Sequence, residues 1–219
     1  MVRVTADNMA PQARKLRDAY ARVPGAPLFR REFGFYCLDR WYEQGMPQDV
    51  PLDELFGYDP PGHLSLGQLG SCEASFVPAF EVKVLQDLGD HEIEQDFAGR
   101  HVLYFKGRRS GFMPEYVDHP VKDLRTWRDN VLWRLDPTSP ERYEDLEERM
   151  AFARGEEARG IMIQQNLVGG YMFLRSLIGP ADLLYAFHDQ PELIEECMAA
   201  WLALADAVIA RHQRHVTID

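Results

Sequence analysis

Apolar side chains recur in short blocks whose period changes along the chain. Over residues 8–22, Met9, Ala13, Leu16 and Tyr20 make one stripe, and Pro11 stands where a first helical turn tolerates it. This predicts a helix ended by Gly25. Residues 28–45 read as extended and then helical around Leu38, Trp41 and Tyr42, stopping at Gly45, and a short helix is expected at 51–56. Pro60, Pro61 and the glycines Gly57, Gly62, Gly67 and Gly70 make 57–70 read as a loop. The period then falls to two. Phe80, Val82 and Val84 alternate with Glu81 and Lys83, Ile93 marks a second short strand, and Val102 to Phe105 mark a third. Turn residues at Gly89, Asp90, Ala98 and Gly99 separate them, so a small antiparallel meander is expected, followed by a polar loop at 107–120.

From residue 121 the helical period returns. Leu124, Trp127, Val131 and Leu135 share a face up to Pro137, and T-S-P-E at 138–141 reads as a capping box for a helix that buries Tyr143, Leu146, Met150 and Ala153. Ile161 to Gln165 reads as a buried strand. Helices with Pro180 and Pro191 in their first turns follow, the last carrying Ile194, Cys197, Trp201, Leu204 and Val208. Val216 to Asp219 looks like the opening of a further strand. Helices alternating with strands predict an α/β fold with parallel strands. The chain supplies strands for about half of an eight-stranded (β/α)8 barrel, which typically takes about 250 residues. The expectation is therefore a partial TIM barrel, roughly its first half, with N-terminal helices and the small antiparallel meander. Residues 1–219 would form one domain, the N-terminal portion of a longer polypeptide.

Composition narrows the function classes. The 219 residues carry a formal charge of −11, which argues against a nucleic-acid binder that relies on neutralising phosphates. Residues 1–31 nonetheless hold seven Arg and Lys against two Asp, so a basic leading segment precedes an acidic remainder. It is either a helix docked on that remainder or an anion-binding entrance. Cys37, Cys72 and Cys197 are odd in number and far apart, without a CxxC, so neither a disulfide framework nor a complete zinc site is expected. A reducing cytoplasm fits this usage. The N-terminus lacks an apolar signal region and no apolar run approaches 18 residues, so no membrane association is expected.

No dinucleotide, P-loop, hydrolase-elbow or zincin signature occurs, so candidate chemistry is sought where extended segments meet loops. Arg30 and Arg31 before Gly34 can grip a carboxylate or phosphate with paired hydrogen bonds, or else Arg31 pairs with Glu32. Lys106, Gly107, Arg108 and Arg109, followed by Tyr116 and His119, form a cationic segment suited to an anionic substrate, with His119 able to move protons near neutral pH. The alternative is a solvated loop. Gln165 and Asn166 before Gly169 and Gly170 can orient a polar ligand, or simply make a tight strand-to-helix turn. Glu81 and Glu73 are the carboxylates available for acid–base work. His212 and His215 have metal-compatible helical spacing, although such a pair is commonly surface decoration.

Four stretches in order carry a resemblance: RREFGFYCLDRWYEQGMP, FEVKVLQDLGDHEIEQDFAGR, HPVKDLRTW and GGYMFLRSLIGPADLLYAFHDQPELIEECM. Together they resemble the uroporphyrinogen decarboxylase superfamily, including its corrinoid-dependent methyltransferase-like branch, over about the first 60% of a member. The resemblance implies a (β/α)8 barrel, a cytoplasmic enzyme and an anionic small molecule or tetrapyrrole as substrate. Methyl transfer involving a corrinoid or a methylated small molecule is the favoured activity. Decarboxylation of uroporphyrinogen III is the alternative, and a non-catalytic ligand-binding role is the third.

The decarboxylases hold substrate carboxylates with an R-Q-A-G-R motif. The matching stretch here runs Arg31, Glu32, Phe33, Gly34, Phe35, which keeps the first Arg and loses the second. Glu81 is the nearest acidic match in order to the family's catalytic Asp. The implied site is thus Glu81 and His119 as catalytic groups, with Arg31, Arg109, Tyr116, Gln165, Asn166 and Gly170 holding substrate. No metal ligand falls within the chain. In the methyltransferase branch a zinc ion lies in the C-terminal half and a corrinoid is carried by a partner protein. Self-association is also expected, through parallel strand edges left open by half a barrel.

Overall fold

The computed structural model describes residues 7–31, 38–69, 76–107, 114–167 and 169–219. The chain divides into two compact units, one built from Met1–Ser65, Arg149–Gln164 and His215–Asp219, the other from Leu66–Glu148 and Gln165–Arg214. In chain order the described elements are helices α1 (Pro11–Tyr20), α2 (Leu38–Glu43) and α3 (Leu52–Phe56), then strands β1 (His63–Leu69), β2 (Lys83–Asp87), β3 (His91–Gln95), β4 (His101–Phe105) and β5 (Glu115–Asp118). Helix α4 (Leu124–Asn130) and two 3-10 turns (Leu132–Leu135 and Pro140–Tyr143) follow, then α5 (Leu146–Ala158), β6 (Met162–Leu167), α6 (Gly170–Ile178), α7 (Pro180–Asp189) and α8 (Pro191–His212).

The partial barrel expected from the sequence is not formed. The fold is α/β, with β1 and β6 as a two-stranded parallel sheet and β2-β3-β4-β5 as a four-stranded antiparallel sheet. Connection length explains the difference. A parallel pair needs a crossover of a dozen or more residues, and among the described strands only β1 and β6 pair in this way. Strands β2 to β4 are joined by the short turns Leu88–Asp90 and Asp96–Arg100, which force antiparallel pairing, and two parallel strands cannot close a ring. Two segments read as loops hold strands. β1 lies within 57–70, and β5 lies within 107–120.

In the first unit, α1 buries Ala13 and Leu16 against Met162, with Met9, Ala10 and Phe29 packed around them. The Ala10 N–H donates to the Gly160 carbonyl at 2.9 Å. Gly160 has φ +81°, and a Cβ there would lie 2.2 Å from the Asn8 carbonyl oxygen, so only glycine lets the two backbones approach. The residues after Val216 form no strand. The Asp219 N–H donates to the Ile163 carbonyl at 2.8 Å, and the buried Glu157 carboxylate accepts from the Thr217 N–H at 2.9 Å.

In the second unit, α4, α6, α7 and α8 enclose a core of Trp127, Phe173, Leu177, Leu183, Leu193, Cys197 and Leu204. The expected buried face holds, with Trp127, Val131 and Leu135 buried, but it is divided between α4 and the 3-10 turn at Leu132–Leu135 instead of lying on one helix. The capping box belongs to Asp123 and Thr126 rather than to residues 138–141. Asp123 Oδ1 accepts from the Thr126 N–H at 2.7 Å, whereas the Ser139 side chain caps nothing. Pro180 and Pro191 open α7 and α8, because a first-turn residue needs no N–H partner. The β3–β4 turn is held by Asp96. Its carboxylate accepts from the Ala98 and Arg100 N–H groups, both at 2.9 Å, and pairs with the Arg100 guanidinium at 2.7 Å, with both side chains buried. Among the described residues no helix is long and apolar enough to cross a membrane.

Candidate functional site

The first unit contains a cleft of about 500 Å³ lined by Phe29, Arg31, Tyr58, Asp59, His63 and Ser65, among others. Its frame is a pair of reciprocal contacts between two extended segments. The Arg30 N–H donates to Asp59 Oδ2 at 2.7 Å, and the Asp59 N–H donates to the Arg30 carbonyl at 2.8 Å. Lys15 of α1 pairs with the other oxygen of Asp59. The Arg30 N–H first, and the Lys15 ammonium second, hold the Asp59 carboxyl below its usual range, so it is ionised at neutral pH and already neutralised. The helix before it ends at Gly57, where the chain turns so that Phe56 and Tyr58 stack with ring centroids 5.7 Å apart.

With Asp59 occupied by Lys15, the cation facing the cleft is Arg31, which has no ion pair among the described residues. His63 opens β1, and its buried Nδ1 has no hydrogen-bond partner among the described residues. Burial first, and the nearby Arg31 charge second, hold its pKa below the ordinary 6.5, so the ring is neutral at pH 7. A guanidinium fork beside a neutral imidazole with an unsatisfied nitrogen can hold an anion and exchange a proton with it. His63 was not singled out from the sequence. The available signal was the period-two run His63, Leu64, Ser65, Leu66, which the surrounding glycines and prolines obscured.

The other expected site residues lie elsewhere. Glu81 precedes β2 with its carboxylate three-quarters exposed, 3.4 Å from Lys83. His119 follows β5, and β2 and β5 are opposite edges of the antiparallel sheet, about 14 Å apart at ordinary strand spacing. Glu81 and His119 therefore do not meet as an acid–base couple. Tyr116 does lie beside His119, with ring centroids 6.0 Å apart, and the Arg100 guanidinium sits 4.9 Å over the Tyr116 ring. His119 is half-buried against Gly179. Arg109, Glu73, Phe35, Cys37 and Cys72 lie outside the described residues.

The Gln165 side chain is engaged in the framework. Its amide nitrogen donates to the Gly67 carbonyl at 2.7 Å, tying β6 to β1, and its oxygen lies 2.9 Å from Nδ1 of the buried His212. Asn166 is exposed. Gly170 opens α6, where the end of the Met198 side chain occupies the space a Cβ would take. His215 contacts Arg154 at 3.2 Å. Among the described residues no group of three His, Cys, Asp or Glu side chains is placed to hold a metal ion, so no zinc chemistry is derived for them. The Cys197 thiol is buried, which pushes its pKa up to about 12 and keeps it unreactive.

Burial holds the His119 pKa below 6.5, helped by the Lys122 and Arg100 charges, while Asp118 and Asp182 oppose the shift. The unfolded chain therefore takes up a proton near pH 6.5 that the folded chain refuses. Stability contributed by neutral His119 is complete above that pH and is lost as pH falls through 6.5 towards the folded value. Urea unfolding of the parent and of His119→Gln at pH 8 and pH 5 checks this, with the parent expected to lose more stability on acidification than the variant.

Comparison with known proteins supplies no relative, since no protein-family model, no curated protein and no solved structure matches the chain.

Proposed function

We propose that the chain serves an enzyme acting on a small anionic substrate, of the kind its sequence resembles in the uroporphyrinogen decarboxylase superfamily, with methyl transfer as its reaction. The observation that carries the reading is the pairing of Arg31 with the neutral, unsatisfied His63 in one cleft. Arg31 binds and orients a carboxylate or phosphate through two parallel N–H donors. His63 lines the same cleft and is neutral at pH 7, which leaves its ring able to accept a proton, against the burial and the Arg31 charge that disfavour its charged form. A corrinoid protein is the partner this reading implies as methyl carrier. A reducing cytoplasm is its setting, in keeping with the free, buried thiol of Cys197.

The size and charge of the cleft favour a small substrate over a tetrapyrrole. A volume of about 500 Å³ with Arg31 as its available cation suits one anionic group, whereas uroporphyrinogen carries many carboxylates and calls for several cationic grips. Calorimetric titration with methoxyacetate, a small methylated carboxylate, and separately with uroporphyrin tests this. Methoxyacetate is expected to bind, and Arg31→Ala to weaken that binding by about 1–3 kcal/mol. Uroporphyrin binding that depends on Arg31, without methoxyacetate binding, transfers the proposal to decarboxylation. Binding of neither anion removes the anion site.

A further inference from the structure

We propose that the carboxylate held by Arg31 belongs to a small amino acid, whose ammonium group is taken by Asp53 in the same cleft. The inference rests on the anion cleft proposed above and names the class of its ligand. Arg31 and Asp53 both line that cleft, and among the described residues neither side chain is engaged in an ion pair or a hydrogen bond. The second lining carboxylate, Asp59, is already neutralised by Lys15 and the Arg30 N–H. What the cleft leaves to a ligand is therefore one cation and one anion. A ligand carrying both charges matches the pair, whereas a plain carboxylate sets a second negative charge near Asp53.

The end of α3 brings Asp53 to the cleft together with an aromatic ring. Gly57 closes the helix at φ +63°, and the returning Tyr58 N–H donates to the Asp53 carbonyl at 2.8 Å. Tyr58 also lines the cleft, and its ring is backed by Phe56, which in turn meets Trp41 with ring centroids 6.1 Å apart. A primary ammonium donates to a carboxylate and is attracted to the face of an aromatic ring, so Asp53 and Tyr58 offer it two favourable contacts. Arg31 supplies the paired donors for the other end of the same molecule.

Calorimetric titration of the chain with two pairs of probes tests the proposal, and circular dichroism verifies that each variant folds. Glycine is compared with propionate, and 4-aminobutyrate with pentanoate. Within each pair only the ammonium is exchanged for a methyl group, and the two pairs cover two separations of the charges. One of the amino acids is expected to bind roughly tenfold more tightly than its uncharged-end counterpart. Asp53→Asn is expected to abolish that preference while leaving the affinity for the plain carboxylate unchanged, and Tyr58→Leu to reduce it. Plain carboxylates that bind through Arg31 as tightly as both amino acids overturn the proposal and leave the anion cleft standing. A preference for the amino acid that survives Asp53→Asn also overturns it. Binding of neither member of either pair, and of no methoxyacetate, removes the anion cleft and this inference with it.

Discussion

Replacing Asp96 with Ala is expected to destabilise the second unit by about 3–5 kcal/mol, with a drop in Tm on the order of 10 °C. Two losses coincide. The Arg100 guanidinium is left charged, buried and without the carboxylate that pairs with it at 2.7 Å, and the Ala98 and Arg100 N–H groups lose their acceptor. The turn that loses its anchor joins β3 to β4, and its Gly99 packs where a Cβ would lie 2.7 Å from the Phe80 ring, leaving little room for an alternative path. Asp96→Asn retains an acceptor oxygen but not the charge, so it is expected to fall between Ala and the parent. Urea unfolding followed by circular dichroism reads both. A loss below about 1 kcal/mol for Ala would show the pair behaving like a solvated surface bridge.

A loss of similar size is expected for Trp127→Ala, about 3–5 kcal/mol, because the indole is fully buried in the helical core and its removal leaves a cavity the packed neighbours cannot fill. Glu196 would keep its bidentate pair with Arg128 but lose the indole N–H that donates to Oε1 at 3.1 Å. Trp127→Phe preserves most of the apolar volume and separates the two contributions. It is expected to recover more than half of the loss, since packing outweighs one partly exposed hydrogen bond. Equal losses for Ala and Phe would instead place the energy in the indole–Glu196 contact.

Both positions show how far local pattern reaches. Trp127 was legible because helical periodicity reports burial directly, and Pro180 and Pro191 located the starts of α7 and α8 because a first turn leaves its N–H groups unpaired. Strands β3 and β4 were legible from Ile93 and from the apolar run Val102 to Phe105, each set between turn residues. Strand β1 was not, because Gly62, Gly67 and two prolines resemble loop punctuation and mask its alternation. The barrel expectation failed for a geometric reason. Helix–strand alternation suggests a run of parallel strands, but among the described strands only β1 and β6 pair in parallel, and Val216 to Asp219, read as the opening of a further strand, forms none.

The candidate site divides in the same way. Arg31 was visible because residue type alone signals anion chemistry. The contribution of His63 is a buried, unsatisfied nitrogen, which is a property of the folded neighbourhood and not of a motif. Gln165 shows the converse, since an amide at a strand end looks available in sequence while its hydrogen bonds are already committed to Gly67 and His212.

Whether Arg31 and His63 hold one anion together is read out by imidazole NMR of His63 across pH. Without ligand, the ring is expected to titrate below 6.5. With saturating methoxyacetate, the anion stabilises the imidazolium, so the titration is expected to move up, and Arg31→Ala is expected to abolish that movement by removing the anion from the cleft. A His63 titration that stays in place on adding the anion, or that moves equally in Arg31→Ala, would show that the two residues do not share an anion.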